Sequence, residues 1–510
     1  MNRRDLLKRA AQLSGGLLLP GAIPAVIAAE SRRPTMPFGV MSGDLAGDRA
    51  MIWGSSDRPA RMIVEWSDDA NFRNVRRVPG PLATPATGLT AKLDLTGLPA
   101  DRAVFYRAAF HDPDDPRALS EWTSGRLHTA PSVAASRPVR FTFSGDESGQ
   151  GFGINPELGG YRIYEAMRRK RPDFFIHQGD QIYADGPVKP EVVLPDGGIW
   201  RNLITEAKSR VAETLDDFRG HFAYNLLDDN KRRFLAEVPA HVQWDDHEVR
   251  NNWFPTKRLA PGGPAMPTLV AHARQAMREY NPIRIASDAP AIYRGFRQGP
   301  LLDVFVLDAR SLRGTNLAGG TRMFGPAQLD WLKRGLLRST ATWKLIASDM
   351  PLSLTVPDLN KDMPAGSIEA LADGKSGAPG GREGELAGLL SFLRAHRIRN
   401  TVWISADVHY AAAMHYQPSR AHFADFDPFW EFVAGPINAG TGAFSANPLD
   451  MTFGPEVVFK AVPDTIVDSS PRAGLQFFGM GEVDPGSRTL TMSIHDLTGA
   501  ELFRRDLQPM

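Results

Sequence analysis

The chain has 510 residues, of which 42% are hydrophobic and 23% charged, a globular composition with room for roughly two or three domains. Lysine plus arginine (59) nearly equals aspartate plus glutamate (58), and the resulting net charge of +1 gives no support to a polyanion such as nucleic acid as the main partner. The absence of cysteine excludes disulfides, thiolate metal ligands and a cysteine nucleophile.

Residues 1–30 have the layout of a bacterial Tat export signal. Arg3 and Arg4 form a twin-arginine pair, and an apolar stretch from Ala10 to about Ala29 ends in small residues that suit a cleavage site. No later apolar run is long enough to span a bilayer. The sequence therefore predicts transport by the Tat translocase, a periplasmic or secreted location, and no permanent membrane span.

Residues 33–131 have an all-β pattern. Short runs of aromatic and β-branched residues predict strands, and residues 91–95 alternate with period two. The length suits one fibronectin- or immunoglobulin-like β-sandwich, in which Tyr106 would hydrogen-bond back across a turn. The Ser-, Ala- and Pro-rich stretch 131–138 predicts a linker to a second domain.

From residue 138 to residue 510, apolar strand patterns alternate with helical ones, which predicts a layered α/β domain. Strands are predicted at 139–143, 173–177, 240–244, 301–308, 343–348 and 401–405, and helices at 161–171, 216–234, 269–280, 327–337 and 385–396. Pro- and Gly-rich stretches predict surface loops or lids around a site at 186–198, 254–267 and 352–384.

The predicted strands of this domain end in acidic residues or histidine. These ends carry Asp146, Asp180 with Tyr183, Asp245 to Glu248, Asp308, Asp349, and Asp407 with His409. Ligands of open α/β sheets bind at the carboxyl ends of strands. Crowded carboxylates repel each other unless multivalent cations relieve the charge, and oxygen donors with a few histidines suit Ca, Mg, Mn, Fe(III) or Zn. A multinuclear metal site is predicted, although Asp308 could instead pair with Arg310 and Asp349 could cap a turn.

A set of motifs at these ends resembles the PhoD-type alkaline phosphatases, which are related to purple acid phosphatases within the calcineurin-like metallophosphoesterases. The motifs are Gly179-Asp-x-x-Tyr183, Trp244-Asp-Asp-His-Glu-x-x-Asn-Asn-Trp253, Leu307-Asp-x-Arg310 and Ser405-x-Asp-x-His409. The resemblance spans nearly the whole chain. It implies a β-sandwich followed by a four-layer αββα metallophosphoesterase domain, with the metals at its sheet edges.

The resemblance also implies a role for each motif residue. The metal ligands would be Asp146, Asp180 as a bridging carboxylate, Tyr183 on Fe(III), Asp246, Asp407 and His409. His247 would contact the substrate phosphate or protonate the leaving oxygen, and Arg310 would lie near the phosphate. Asn252 and Arg219 would make further phosphate contacts.

One position departs from the family pattern. In well-known members the first strand ends in Ser-Cys-Gln and the cysteine binds iron, whereas this strand ends in Ser144-Gly145-Asp146. A carboxylate is a harder ligand than a thiolate, which favours Mn, Mg, Ca or Zn, while the phenol of Tyr183 favours Fe(III). The residue types leave the metals open between Fe(III) and Ca on one side and Mn, Mg or Zn on the other.

The reaction implied is hydrolysis of a phosphate ester, with attack on phosphorus by hydroxide at the metal centre. One alternative is a phosphodiesterase, including a phospholipase D-like enzyme, because the same metal core serves monoesters and diesters. A second alternative is a non-catalytic exported binding protein, whose sequence would have lost metal-ligand residues.

Overall fold

A computed structural model gives the arrangement of residues 33–132, 137–259, 262–284, 289, 291–443, 447–462 and 469–510. The predicted export signal at 1–30 lies outside these residues. Among the helices that the structure describes, none combines the length and hydropathy that crossing a membrane requires.

Strands β1 to β22 span, in chain order, Val40–Ala46, Arg49–Ser55, Ala60–Ser67, Arg76–Ala83, Thr90–Leu95, Ala103–His111, Thr123–His128, Val139–Ser144, Phe174–Gln178, Glu191–Val193, Ile199–Arg201, Ala240–Gln243, Arg294–Gln298, Leu302–Val306, Trp343–Ala347, Thr401–Ser405, Ala412–Tyr416, Phe429–Val433, Pro455–Lys460, Phe477–Val483, Leu490–Asp496 and Glu501–Leu507. Helices α1 to α6 span Arg162–Arg169, Leu215–Asn225, Asp229–Glu237, Met266–Tyr280, Pro326–Arg338 and Glu383–Ala395.

Two large sheets carry the mixed α/β part of the chain. One has the strand order β22-β21-β20-β8-β9-β12-β1-β2-β5 and the other β13-β14-β15-β16-β18-β17-β19. Strands β8, β9 and β12 run parallel in the first sheet, and β14, β15 and β16 run parallel in the second. Apolar side chains of both sheets share one core, with Phe143 and Ile176 from the first and Leu345 and Ile404 from the second.

The helical pattern predicted over 216–234 forms two helices, α2 and α3, instead of one. The side chain of Asp228 accepts hydrogen bonds from the N–H of Lys231 (2.9 Å) and the N–H of Tyr161 (2.9 Å). An aspartate in this position caps the N-terminus of a new helix, because it satisfies a donor that the first turn leaves free. The chain therefore turns at Asp228 and α3 begins there.

The N-terminal β-rich region joins the large sheet directly. Strands β1, β2 and β5 extend the nine-stranded sheet, since β1 pairs in parallel with β12 at Gly43 and Ala240. A Cβ on Gly43 would lie 2.4 Å from the carbonyl oxygen of Ala240, so glycine permits this close approach. Strands β4, β3, β6 and β7 form a separate sheet that shares a hydrophobic core with β1, β2 and β5. The predicted boundary at 131–138 therefore separates two regions that share one sheet.

The sequence suggested that Tyr106 would hydrogen-bond back across a turn, but the structure gives it a different partner. Its hydroxyl donates to the carbonyl oxygen of Ala236 in α3, 3.2 Å away. Gly125 on the neighbouring strand β7 makes this possible, because a Cβ there would come within 2.4 Å of the Tyr106 hydroxyl and 2.5 Å of the Ala236 oxygen. Tyr106 thus connects the four-stranded sheet to a helix of the α/β part.

Glu431 on β18 is a fully buried carboxylate inside the seven-stranded sheet. It accepts hydrogen bonds from the hydroxyl of Tyr416 (2.6 Å), the hydroxyl of Ser405 (2.8 Å) and the N–H of Leu352 (3.0 Å). Burial raises the pKa of Glu431 to about 7 even though these donors favour the charged form.

We expect this group to make the free energy of unfolding depend on pH. Because the folded-state pKa exceeds the unfolded value, the folded state holds more protons between about pH 4.5 and 7, and its stability falls as pH rises through that window. Between pH 5 and 8 the wild type should lose about 2 to 3 kcal/mol relative to Glu431→Gln. Urea unfolding of both proteins at each pH measures the difference, and equal pH slopes would contradict the prediction.

Candidate metal centre

Two buried glutamines fasten the carboxyl ends of the two sheets to each other. The amide of Gln178, at the end of β9, donates to the carbonyl of Ser348 (3.1 Å). The amide of Gln243, at the end of β12, donates to the carbonyls of Leu307 (3.0 Å) and Ala347 (3.1 Å). The turns that follow parallel strands of both sheets therefore meet at a single edge.

The donor atoms of the acidic turns converge in three overlapping groups, and within each group all of them lie within 4.8 Å of one another. The groups are Asp146 with Asp180 and His409, Asp180 with Asp246 and His247, and Asp245 with Asp246 and Asp407. Asp180 belongs to the first two groups and Asp246 to the last two. The result is a continuous array of ligand-type atoms, next to which the hydroxyl of Tyr183 lies 2.7 Å from His409 Nε2.

Unusual backbone geometry aims these side chains inward. Positive φ angles, which are uncommon outside glycine, occur at Asp146 (65°), Asp180 (50°), Asn252 (55°), Asp407 (69°) and His409 (57°). Gly179 has φ 99°, and a Cβ on it would lie 2.5 Å from the Cβ of Asp245. Left-handed residues cost free energy, and their clustering at one edge of the sheets is typical of a functional site.

Glu248 ties two of these turns together. Its carboxylate accepts hydrogen bonds from the N–H groups of Asp180 (3.0 Å), Gln181 (2.6 Å) and Asp245 (2.7 Å). Burial and the charge of Asp245 raise the pKa of Glu248 to about 8, while the three N–H donors oppose the shift. Glu248 is part of the sequence motif, but this backbone-holding role was not predicted.

The tautomer of His409 follows from its neighbours. Its Nδ1 lies 2.7 Å from the carbonyl oxygen of Gly440, which can only accept a hydrogen bond, so Nδ1 carries the proton. Nε2 then carries the lone pair, which accepts a hydrogen bond from the hydroxyl of Tyr183 (2.7 Å), and this atom lies 3.8 Å from Asp146 Oδ1. Such a carbonyl contact is the arrangement commonly found behind a metal-binding histidine.

His247 is held by Asp185, a residue that the sequence analysis did not single out although it lies two positions after Tyr183. Its Nδ1 is 2.7 Å from Asp185 Oδ1, and its ring stacks on that of Tyr183 with centroids 4.1 Å apart. Burial disfavours the charged imidazole, but Asp185 and Asp246 outweigh burial and raise the pKa of His247 to about 10. His247 is therefore a protonated imidazolium at neutral pH in this arrangement.

The carboxylates are short of positive partners. Burial, together with neighbouring carboxylates, raises the pKa values of Asp146, Asp180 and Asp407 well above their usual range. Asp146 Oδ2 and Asp246 Oδ1 are buried without any hydrogen-bond partner. Multivalent cations would supply the missing positive charge and occupy these free oxygen atoms, so the donor set fits metal ions.

The resemblance implied that Arg310 lies near the substrate phosphate, but in the structure its side chain does not line the site. Its guanidinium is completely buried behind the carboxylates, with Nε 2.5 Å from Asp245 Oδ1 and Nη1 bonded to Glu369. Its Nη2 lies 3.9 Å from both Asp246 Oδ1 and Asp407 Oδ1. In this arrangement Arg310 supplies a permanent positive charge beneath the carboxylates and has no surface with which to contact a phosphate group.

Other acidic strand ends and one predicted arginine lie away from the array. Asp308 accepts four hydrogen bonds, one of them from Trp244 Nε1 (3.0 Å), and Glu147 pairs with Lys231 (2.7 Å). Arg219 binds Glu279 through two nitrogens and the carbonyl of Ala86 through one of them, so its predicted phosphate contact is wrong. Asp308 and Arg219 therefore hold loops and helices in place, and Glu147 is held by Lys231 through one of its two oxygens.

The array faces an open cavity of about 390 Å³, lined by Asp180, Tyr183, Asp246, His247, Asn252, Asp407 and His409 among others. The predicted lid at 352–384 contributes Val356 and Glu369 to its wall. The same segment is anchored to the site, since Asn252 Nδ2 donates to Asp358 Oδ1 at 3.1 Å. The loop therefore helps to shape the space in front of the carboxylates.

Comparisons with known proteins show the family to which the chain belongs. The profile of the PhoD-like phosphatase family matches residues 142–494, and that of the PhoD-like phosphatase N-terminal domain matches residues 21–131. Alkaline phosphatase D of Bacillus subtilis (strain 168) is 28% identical over 479 residues, which cover 86% of this chain and 76% of that protein.

Two solved structures share the fold. PhoD superposes with a TM-score of 0.68 at 22% identity, covering 94% of this chain and 93% of that one. A purple acid phosphatase from yellow lupin (Lupinus luteus) seeds superposes with a TM-score of 0.60 at 13% identity, covering 94% and 75%. The fold and the centre define a metal-dependent hydrolase of phosphoric esters. Within that class, the chain belongs to the PhoD-like phosphatase family, as its motifs predicted.

We expect Glu248→Gln to lower the free energy of unfolding by about 2 to 3 kcal/mol, although Glu248 does not line the cavity. The amide nitrogen would face backbone N–H groups and leave at least one of them unsatisfied. Denaturant unfolding measures the effect, with Glu191→Gln on the exposed strand β10 as the matched control. A midpoint equal to that of the control would show that Glu248 does not hold the turns.

Proposed function

We propose that the protein is an exported phosphatase that hydrolyses phosphate esters at a multinuclear metal centre. The observation that carries the proposal is the array of three overlapping carboxylate and histidine groups facing one cavity, with His247 held by Asp185 at its edge. Its metal ligands would be Asp146, Asp180, Tyr183, Asp246, Asp407 and His409. The phenol of Tyr183 favours a centre that contains Fe(III), with Ca as a further ion. The carboxylate and imidazole donors around Asp146 favour Mn, Mg or Zn instead.

When bound, the metals neutralise the negative charge of the ester and activate water as the nucleophile. Asp180 lies between two of the donor groups, a position that supports a bridging role. Arg310 beneath Asp245 keeps part of the carboxylate charge balanced while the substrate enters and leaves. In this proposal Arg310 acts on the ligands and not on the phosphate.

His247 is the proposed proton donor to the leaving oxygen. Asp185 fixes its Nδ1 side and keeps the ring protonated, while the stacked ring of Tyr183 fixes its plane. A positioned acid of this kind stabilises the developing alkoxide. Asn252, which lines the cavity and whose N–H donates to Asp246 Oδ2 (2.5 Å), is the proposed polar contact to the phosphate oxygens.

We propose a β-sandwich over 33–131 and a four-layer αββα catalytic domain over 138–510. The shared core of the N-terminal strands and the common core of the two large sheets support these layers. Export by the Tat translocase to the periplasm or beyond is proposed from the twin-arginine pair Arg3-Arg4.

Diester hydrolysis is a second candidate, favoured by the size of the cavity. Its volume of about 390 Å³ and the side chains of Val356 and Val408 in its wall leave room for a second, apolar substituent on phosphorus. The alternative of a non-catalytic binding protein does not fit. The chain belongs to a phosphatase family, and residues of the types that bind metals are present in all three groups of the array.

We expect His247→Asn to reduce kcat by about 100-fold or more, because proton donation to the leaving oxygen is lost. Asp185→Asn should reduce kcat by a smaller factor. It should also shift the alkaline limb of the pH–kcat profile to lower pH, since Asp185 raises the pKa of His247. His422→Asn, at an exposed histidine, is the control. An unchanged pH profile in Asp185→Asn would contradict the positioning role.

The reaction itself is tested with a paired rate assay on the metal-replete protein. An aryl phosphomonoester and the matching aryl phosphodiester are each supplied with and without chelator. We expect hydrolysis that chelator abolishes and added metal restores, and the ratio of the two rates decides between monoesterase and diesterase. Failure to cleave either ester with any divalent metal or iron would overturn the proposed function.

A further inference from the structure

A second large cavity lies between the N-terminal β-rich region and helix α4. Its volume is about 580 Å³, larger than that of the cavity at the metal centre. Its polar wall consists of Thr87, Thr90 and Lys92 from the β5 side and Arg274, Gln275, Arg278 and Glu279 from α4. No residue lining this β5–α4 cavity also lines the cavity at the metal centre. The two are therefore separate spaces in the described part of the chain.

The charge of the β5–α4 cavity is positive. Lys92 donates from Nζ to the carbonyls of Arg278 (2.6 Å) and Ile283 (3.1 Å), so its cation is held at the wall by neutral groups. The acidic residue at the wall, Glu279, is already neutralised, since Arg219 binds both of its carboxylate oxygens at 2.7 and 2.8 Å. Cationic side chains consequently outnumber free carboxylates around this space.

Arg274 provides the most specific observation. Its Nε is buried without a hydrogen-bond partner, and the side chain forms no ion pair with any residue in the ranges that the structure covers. The guanidinium carbon lies over the ring of Trp244, 5.5 Å from the ring centroid, within the range of a cation–π contact. A guanidinium at a cavity wall without a carboxylate partner can offer a planar fork of hydrogen bonds to an oxyanion.

We propose that the β5–α4 cavity binds a phosphate group, either as free inorganic phosphate or as the phosphoester group of a larger molecule. Arg274 would supply the paired N–H donors and Lys92 the second positive charge. The hydroxyls of Thr87 and Thr90 already donate to backbone carbonyls, Thr87 to Thr90 (2.9 Å) and Thr90 to Thr87 (2.8 Å), so they line the cavity without supplying donors. Leu82, Ala91 and Ala271 add an apolar wall beyond these groups, which suits an ester substituent. This site does not depend on the reaction proposed for the metal centre.

Trp244 connects the β5–α4 cavity to the metal centre along the chain. The indole that supports Arg274 is fully buried, and it directly precedes Asp245 and Asp246 in the chain. A phosphate bound to Arg274 therefore lies on the far side of the residue that begins the acidic turn of the metal centre.

The test is isothermal titration of the metal-replete protein with inorganic phosphate. Wild type, Arg274→Gln and Arg334→Gln are compared, the last being an exposed arginine on α5 that serves as the matched control. We expect wild type and Arg334→Gln to show binding at the metal centre plus a second component, which Arg274→Gln weakens about tenfold or more. Turnover of an aryl phosphate should stay unchanged in both variants.

Arg274→Lys is a control for misfolding of Arg274→Gln, because lysine keeps the positive charge but lacks the planar fork of donors. It should weaken the second binding component less than Arg274→Gln does. Phenylphosphonate, which is not hydrolysed, distinguishes the sources: tighter binding than phosphate at the Arg274-dependent component indicates a phosphoester group, and weaker binding indicates free phosphate. An identical titration of wild type and Arg274→Gln, or an equal component with sulfate at the same ionic strength, would overturn the proposal.

Discussion

The structure depends on placing buried carboxylates of like charge side by side where two sheets meet. Burial and mutual repulsion both raise the pKa values of Asp146, Asp180 and Asp407, so the arrangement is unfavourable unless positive groups balance it. The protein supplies part of the balance with the buried Arg310 and with the charged His247. The remainder is left to cations, which explains why buried oxygen atoms of Asp146 and Asp246 have no partner of their own.

The mixed α/β architecture could be predicted from the sequence, because it depends on local patterns, whereas the order of the strands in the two sheets was not predicted. The position of the site at the strand ends is a prediction from the same local patterns. Apolar segments ending in Asp180 or Asp407 mark the carboxyl ends of buried strands, and parallel strands bring such ends to one edge. The family resemblance added the chemistry, which residue types alone left open.

Other features depend on contacts between distant parts of the chain, and local patterns do not contain them. The Asp185–His247 pair joins residues of two different turns, and Arg310 is buried only because Glu369 and Asp245 reach it from other elements. The same reason accounts for the wrong expectations for Arg219 and Tyr106, whose partners lie on α4 and α3. The sequence motifs named candidate reacting groups, but they did not name the residues that hold them.

The amides of Gln178 and Gln243 have a consequence for how the centre acquires its metals. They join the two sheets through neutral hydrogen bonds to the backbone, so the connection is independent of the charge state of the carboxylates beside it. These contacts between the two sheets therefore do not require a bound ion. The spacing of the donor residues is thus held in part by contacts that involve no metal, and a preset spacing favours ions whose size and geometry match it.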